Sequence, residues 1–171
     1  MTPSLRASEP STFVFVYVYD LTKGLSNALS PILFGCRIRS IYHTSVVVLG
    51  TEYFYSSRGI IACLPGKSVL EAPDSIIAYG RHSLNRIAIA DWLAQARTST
   101  FAAKNYSLLE HNCVTFSEIF LYRLIGASLP DEIKYQVSTI SNTPLGNIWI
   151  KLLRSKSFPN VSLLGRGFDA M

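Results

Sequence analysis

The sequence predicts an α+β fold, on three observations. Short runs of aromatic and β-branched residues, the signature of strands, cluster in the first half of the chain. Two stretches with apolar residues at helical spacing lie in the second half. With 171 residues, 49% of them hydrophobic and 16% charged, the chain is one domain's worth and carries enough apolar surface for a single core. No internal repeat or low-complexity tract interrupts this plan.

Residues 1–12 (MTPSLRASEPST) are polar and proline-bearing, lack the apolar centre of a signal peptide, and read as a flexible leader. Phe13–Tyr19 (FVFVYVY) is apolar on both faces and predicts a buried strand. Asp20–Gly35 has turn residues and Pro31, and predicts a loop with a short helix, followed by Cys36 as a core residue. Ile41–Leu49 is a second strand, with His43, Ser45, Val47 and Leu49 on one face and Thr44, Val46 and Val48 on the other. Gly50-Thr51-Glu52 is a hairpin signal, Tyr53–Ser57 the returning strand, Gly59–Leu64 a third strand closed by Pro65-Gly66, and Ser75–Tyr79 a further one. Asn85 caps an expected helix over Arg86–Arg97, whose apolar stripe is Ile87, Ala90, Leu93 and Ala94. Asp131–Gln136 predicts a helical turn, Leu145–Leu153 an amphipathic segment, and residues 154–171 a polar tail.

The composition restricts function as well. Basic residues are scattered, so the net charge of +5 marks no nucleic-acid arm. The most apolar runs are strand-length, far short of the ~18 residues of a membrane span. Three cysteines without an export signal point to a reducing compartment, with the cytosol expected and the nucleus left open. No CxxC or Cys/His spacing suggests a metal, and neither a metal nor a cofactor is expected.

Chemistry concentrates in Asn105–Gly126, NYSLLEHNCVTFSEIFLYRLIG. Cys113, Phe116, Phe120, Leu121 and Leu124 form one helical stripe, and Gly126 is a natural left-handed stop. Asn112 is a good N-cap, which makes Cys113 the first helical residue. There the free N–H groups and the helix dipole favour negative charge, so the expectation is a lowered thiol pKa and a nucleophilic thiolate. Against this stands the common fate of a lone cysteine as a small core residue. A base must come from one of three histidines. His43 sits on a strand in apolar company and, taken alone, reads sooner as a core histidine bonded to a carbonyl than as a base. His82 lies in a polar segment and is expected to be solvated. His111 precedes Cys113 by two positions and either assists the thiol or braces the turn.

VYVYDLTKGLS (16–26), YHTSVVV (42–48) and YSLLEHNCVTFS (106–117) together resemble the signature blocks of the PPPDE domain, the permuted papain-like family that includes the desumoylating isopeptidases. TEYFYSSRGI, APDSIIAYG and STISNTPLG follow in family order, so the resemblance spans about 13–150. It implies a circularly permuted papain-like cysteine peptidase fold, an antiparallel sheet or small barrel packed on helices, with a catalytic domain over 13–153. It further implies His43 as base and Cys113 as nucleophile of a dyad, SUMO or a related ubiquitin-like modifier on lysine as substrate, and a homodimer. Tyr42 stands where the family usually has Trp, Val114 where Asn is frequent, and Arg58 where a small residue is typical. Rival readings are a protein S-acyl thioesterase or deubiquitinase of the same fold, a lecithin–retinol-type acyltransferase, and a non-catalytic adaptor. The acyltransferase is disfavoured because no histidine occurs between Thr44 and Arg81.

Overall fold

The computed structural model describes residues 12–21 and 41–142. The expected loop and short helix before Cys36, Cys36 itself, the amphipathic segment at 145–153, the tail, and all but the last residue of the leader lie outside the described residues.

Five strands form one antiparallel sheet: β1 (Phe13–Asp20), β2 (Tyr42–Val48), β3 (Thr51–Ser56), β4 (Gly59–Cys63) and β5 (Ser75–Arg81), in the order β4-β3-β2-β1-β5. The helices follow: α1 (Arg86–Thr98), a single 3₁₀ turn (Ala103–Asn105), α2 (Cys113–Ile125), α3 (Asp131–Lys134) and α4 (Gln136–Ser141). Strands first and helices second is the predicted α+β plan.

Period-two alternation puts Val14, Val16 and Val18 of β1 and Val46 and Val48 of β2 on one face, all fully or nearly fully buried. Helix α2 lies on that face with the predicted stripe, Cys113, Phe116, Phe120, Leu121 and Leu124, turned inward. The Trp92 ring of α1 stacks on Phe120 at 4.9 Å, and Tyr53 of β3 meets the same ring edge-on at 5.9 Å. Burying a side chain such as Phe116 or Phe120 contributes about 1.5–3 kcal/mol, so this seam fixes α2 against the sheet.

Two local expectations are corrected. The β2–β3 turn is Leu49-Gly50, with φ of 52° and 74°, and not Gly50-Thr51-Glu52. Positive φ at both central positions is the type I′ hairpin, whose twist matches its strands, and it places Leu49 in the left-handed region beside Gly50. In α1 the buried residues are Ile89, Leu93 and Ala96, whereas Ile87 is 70% exposed. Trp92 decides the phase, because the largest side chain of the helix must meet the aromatic seam. Asn85 does cap α1, accepting from the Ala88 N–H at 2.7 Å. The short α4 carried no sequence signal.

Candidate active site

The start of α2 is held from several sides. Asn112 is extended, and its side-chain oxygen accepts from the N–H of Val114 at 2.9 Å and of Thr115 at 3.3 Å. Thr115 Oγ1 accepts from the Asn112 N–H in return, and Asn112 Nδ2 donates to the Leu108 carbonyl at 2.8 Å. With the Phe116 N–H bound to the Asn112 carbonyl, the cap leaves the N–H of Cys113 itself uncommitted to Asn112. Because the cap works through the backbone N–H of Val114, an apolar side chain at that position leaves the helix start intact.

His111 is the brace of this approach. Ser107 and His111 exchange both backbone hydrogen bonds at 2.9 Å, closing a tight loop just before the cap. The His111 ring stacks on Phe101 at 4.9 Å, meets Tyr55 edge-on, and donates from Nδ1 to the Asn105 carbonyl at 3.1 Å. A ring anchored on three sides has little freedom to turn toward the sulfur.

Strand β2 meets the helix start at its N-terminal end. Thr44 Oγ1 donates to Ser117 Oγ at 2.9 Å and reaches the Cys113 carbonyl at 3.4 Å. β3 pairs with β2 only from Val46 to Val48, so among the described residues that edge of β2 has no strand partner at Tyr42–Ser45. Gln136 fills part of it: its Oε1 accepts from the Tyr42 N–H at 2.7 Å and its Nε2 donates to the Tyr42 carbonyl at 3.0 Å.

His43 lies between these two anchored residues, and its ring packs between Tyr19 at 5.9 Å and Phe54 at 5.4 Å. Tyr19 is fixed in turn. Its hydroxyl donates to Glu52, a wholly buried carboxylate that also accepts from Ser45 Oγ and the Gly66 N–H. The structure therefore brings the backbone beside His43 onto the start of α2, while no direct hydrogen bond joins His43 and Cys113 among the described residues. Tightening of such contacts on substrate binding is common in enzymes.

Burial sets the resting protonation of both groups. It pushes the Cys113 thiol up to about 11; N–H groups of Thr44, Val114 and Cys113 pull the other way and do not offset it. The expected lowering of this thiol is thus overturned, because removing the sulfur from water outweighs the helix start. Burial also lowers His43 to about 4. At rest the Cys113 thiol and the His43 imidazole are thus both neutral. Cys63 is half-buried on β4, and burial with the Glu52 charge raises its thiol to about 11. His82 is not solvated: it is buried after β5, with neither ring nitrogen partnered among the described residues. Its polar sequence neighbours concealed that its backbone N–H ties it to the Thr12 carbonyl beside the sheet.

Among the described residues no cluster of His, Cys, Asp and Glu is arranged to hold a metal ion, and no helix is long and apolar enough to cross a membrane. Residues 12–153 match the model of the PPPDE peptidase domain. The chain belongs to this family. Its relatives include the desumoylating isopeptidase 1 of Homo sapiens, 39% identical with 90% of this chain and 92% of the relative covered. That of Xenopus laevis is 36% identical, covering 88% and 89% of the two chains. The Rattus norvegicus protein of the same name is 40% identical over 78% and 79%. As a PPPDE peptidase the chain is a cysteine-type hydrolase, and the five-stranded sheet packed on helices is the α+β, papain-like architecture expected of it. Sequence reasoning missed Gln136, Glu52, Tyr19 and Thr44. Only the alternation of β2 hinted at one of them, by placing Thr44 on the face opposite His43.

Proposed function

We propose that this PPPDE peptidase is an isopeptidase that removes SUMO, or a closely related ubiquitin-like modifier, from lysine side chains, with Cys113 as nucleophile and His43 as base. The observation that carries the reading is the capped helix start: Cys113 occupies its first position and is tied through Thr44 to the residue next to His43. The relatives named desumoylating isopeptidase 1 support the substrate class.

The reaction starts from the neutral pair. As Cys113 Sγ attacks the carbonyl that joins the modifier's C-terminal glycine to the lysine amine, its proton passes to His43. The oxyanion forms at the positive end of α2, beside the backbone N–H of Cys113. His43, now imidazolium, protonates the leaving amine as the C–N bond breaks, and a thioester remains. Water, deprotonated by His43, attacks the thioester and releases the modifier with a free carboxylate, and the proton returns to sulfur. Burial keeps both groups neutral until charge develops, so the proton transfer belongs to the chemical step.

The test is a panel of modifier C-terminal electrophiles and modifier–lysine isopeptide conjugates. Adducts on Cys113 with the SUMO probe, and cleavage abolished by Cys113→Ala, are expected. Adducts formed only with an acyl-thioester probe would move the reading to thioesterase chemistry. We further propose a homodimer, checked by sedimentation, and residence in the cytosol or nucleus, checked by imaging the full chain.

A further inference from the structure

We propose that Gln136 is a positioning residue for His43, acting by completing the open edge of β2 with its side-chain amide. The inference rests on the proposed role of His43 as base.

In a strand, the N–H and C=O of one residue point to the same side. At Tyr42 both are taken by one group, the Gln136 amide, at 2.7 and 3.0 Å. Among the described residues Gln136 thus takes the place of one residue of a neighbouring strand, beyond the point where β3 stops pairing with β2. The amide comes from the first residue of α4 and is itself buried, a setting in which a polar side chain is kept by the bonds it makes. Two positions along, Thr44 is fixed to α2 through Ser117 and the Cys113 carbonyl. His43 is the residue between these clamps. Among the described residues its own side chain makes ring contacts, with Tyr19 and Phe54, and no hydrogen bond. The backbone on either side is therefore what sets the height of the imidazole relative to the helix start. Without the Tyr42 clamp, the end of β2 would be free to fray from Tyr42 toward His43. Geometry at this level matters greatly to proton transfer, since misplacement by about 1 Å can cost about 10²-fold in rate.

The groups facing His43 among the described residues are the Tyr19 phenol and, behind it, the Glu52 carboxylate, and neither is hydrogen-bonded to Gln136. A change in His43 behaviour on altering Gln136 is therefore transmitted through the strand.

The experiment is Gln136→Met in the full chain, which keeps length and apolar bulk and removes both bonds. Turnover of the isopeptide conjugate is measured with the pH dependence of Cys113 alkylation by iodoacetamide, which requires no modifier. Expected are a kcat about 10- to 100-fold lower with KM within about twofold, and an acid limb of alkylation moved up toward the ordinary histidine range as the ring becomes wetter. If Gln136→Met does not fold, the same measurements are made on Gln136→Glu, which keeps the acceptor for the Tyr42 N–H. A kcat within about threefold of wild type, or a loss of kcat with the acid limb unmoved, overturns the proposal. A wild-type chain that cleaves no conjugate while its alkylation profile still shifts on substitution would count against the substrate reading and not against the clamp.

Discussion

Acidification should destabilise the protein through His43, by an amount the structure sets. Burial holds this imidazole at about 4, against an ordinary value of about 6.5. A group whose pKa is depressed in the folded state stabilises the fold while both states are deprotonated. That contribution is complete above about pH 6.5 and is lost as the pH falls through about 4. The difference of about 2.5 pH units, at about 1.36 kcal/mol each, gives about 3.4 kcal/mol. Because the residue retains some exposure, about 2–3 kcal/mol is the working expectation. Against a typical stability of 5–15 kcal/mol this is a large share. The assay is urea unfolding at pH 7, 6, 5 and 4 for wild type and His43→Leu, a substitution that keeps an apolar group between Tyr19 and Phe54. Carboxylates titrate in both proteins, so the difference between the two curves isolates His43. It should shrink or reverse by about 2–3 kcal/mol between pH 7 and 4, with the wild type losing the more. Parallel curves would show that the imidazole is not desolvated and would remove the basis for a neutral resting pair.

Three further outcomes follow from the same contacts. His43→Ala should lower turnover by about 10²–10⁴-fold with the circular dichroism unchanged, whereas His111→Ala should cost about tenfold or less and act mainly on stability; equal loss in His111→Ala and Cys113→Ala, with His43→Ala active, would reverse the assignment. Asn112→Ala should cost about 1–2 kcal/mol in urea unfolding, since it removes the cap bonds to Val114 and Thr115, and a wild-type midpoint would contradict the capping geometry. Glu52→Leu should cost about 3 kcal/mol or more by leaving the donors of Tyr19, Ser45 and Gly66 without an acceptor, and thermal melting of an unchanged protein would refute the network.

What was legible in the sequence was whatever depends on neighbours in the chain. The apolar stripe of α2 repeats every three or four residues, its cap is one residue before Cys113, and Gly126 ends it in the left-handed conformation. Each is a local rule, and each expectation matches the structure. The same holds for the alternation of β2 that separates Thr44 from His43. The phase of α1 is not legible because Ile87 and Trp92 are both apolar, and only the position of the Phe120 ring chooses between them. The resting charge of Cys113 is hidden for a related reason. Helix-start electrostatics are local, but the burial that outweighs them comes from the sheet packed over α2. The Gln136 amide left no trace in its own stretch, DEIKYQV, since its partner is 94 residues away.

The separations that close the start of β2 impose an order in time. Thr44 meets Cys113 and Ser117 across 69 and 73 residues, and Tyr42 meets Gln136 across 94. A chain emerging from the ribosome exposes the strands well before the thiol, and the amide later still. Contacts this distant in sequence form slowly, because loop closure comes before any of their stabilisation. A partly synthesised chain would therefore hold His43 before Cys113 is made, and an early-folding sheet would carry its edge at Tyr42 uncovered by Gln136. Such an edge is a place where a nascent strand can pair with the wrong partner. Under the proposed dyad, this order delays hydrolytic competence until Cys113 has been made, and it leaves the β2 margin as the last part of the sheet to be covered.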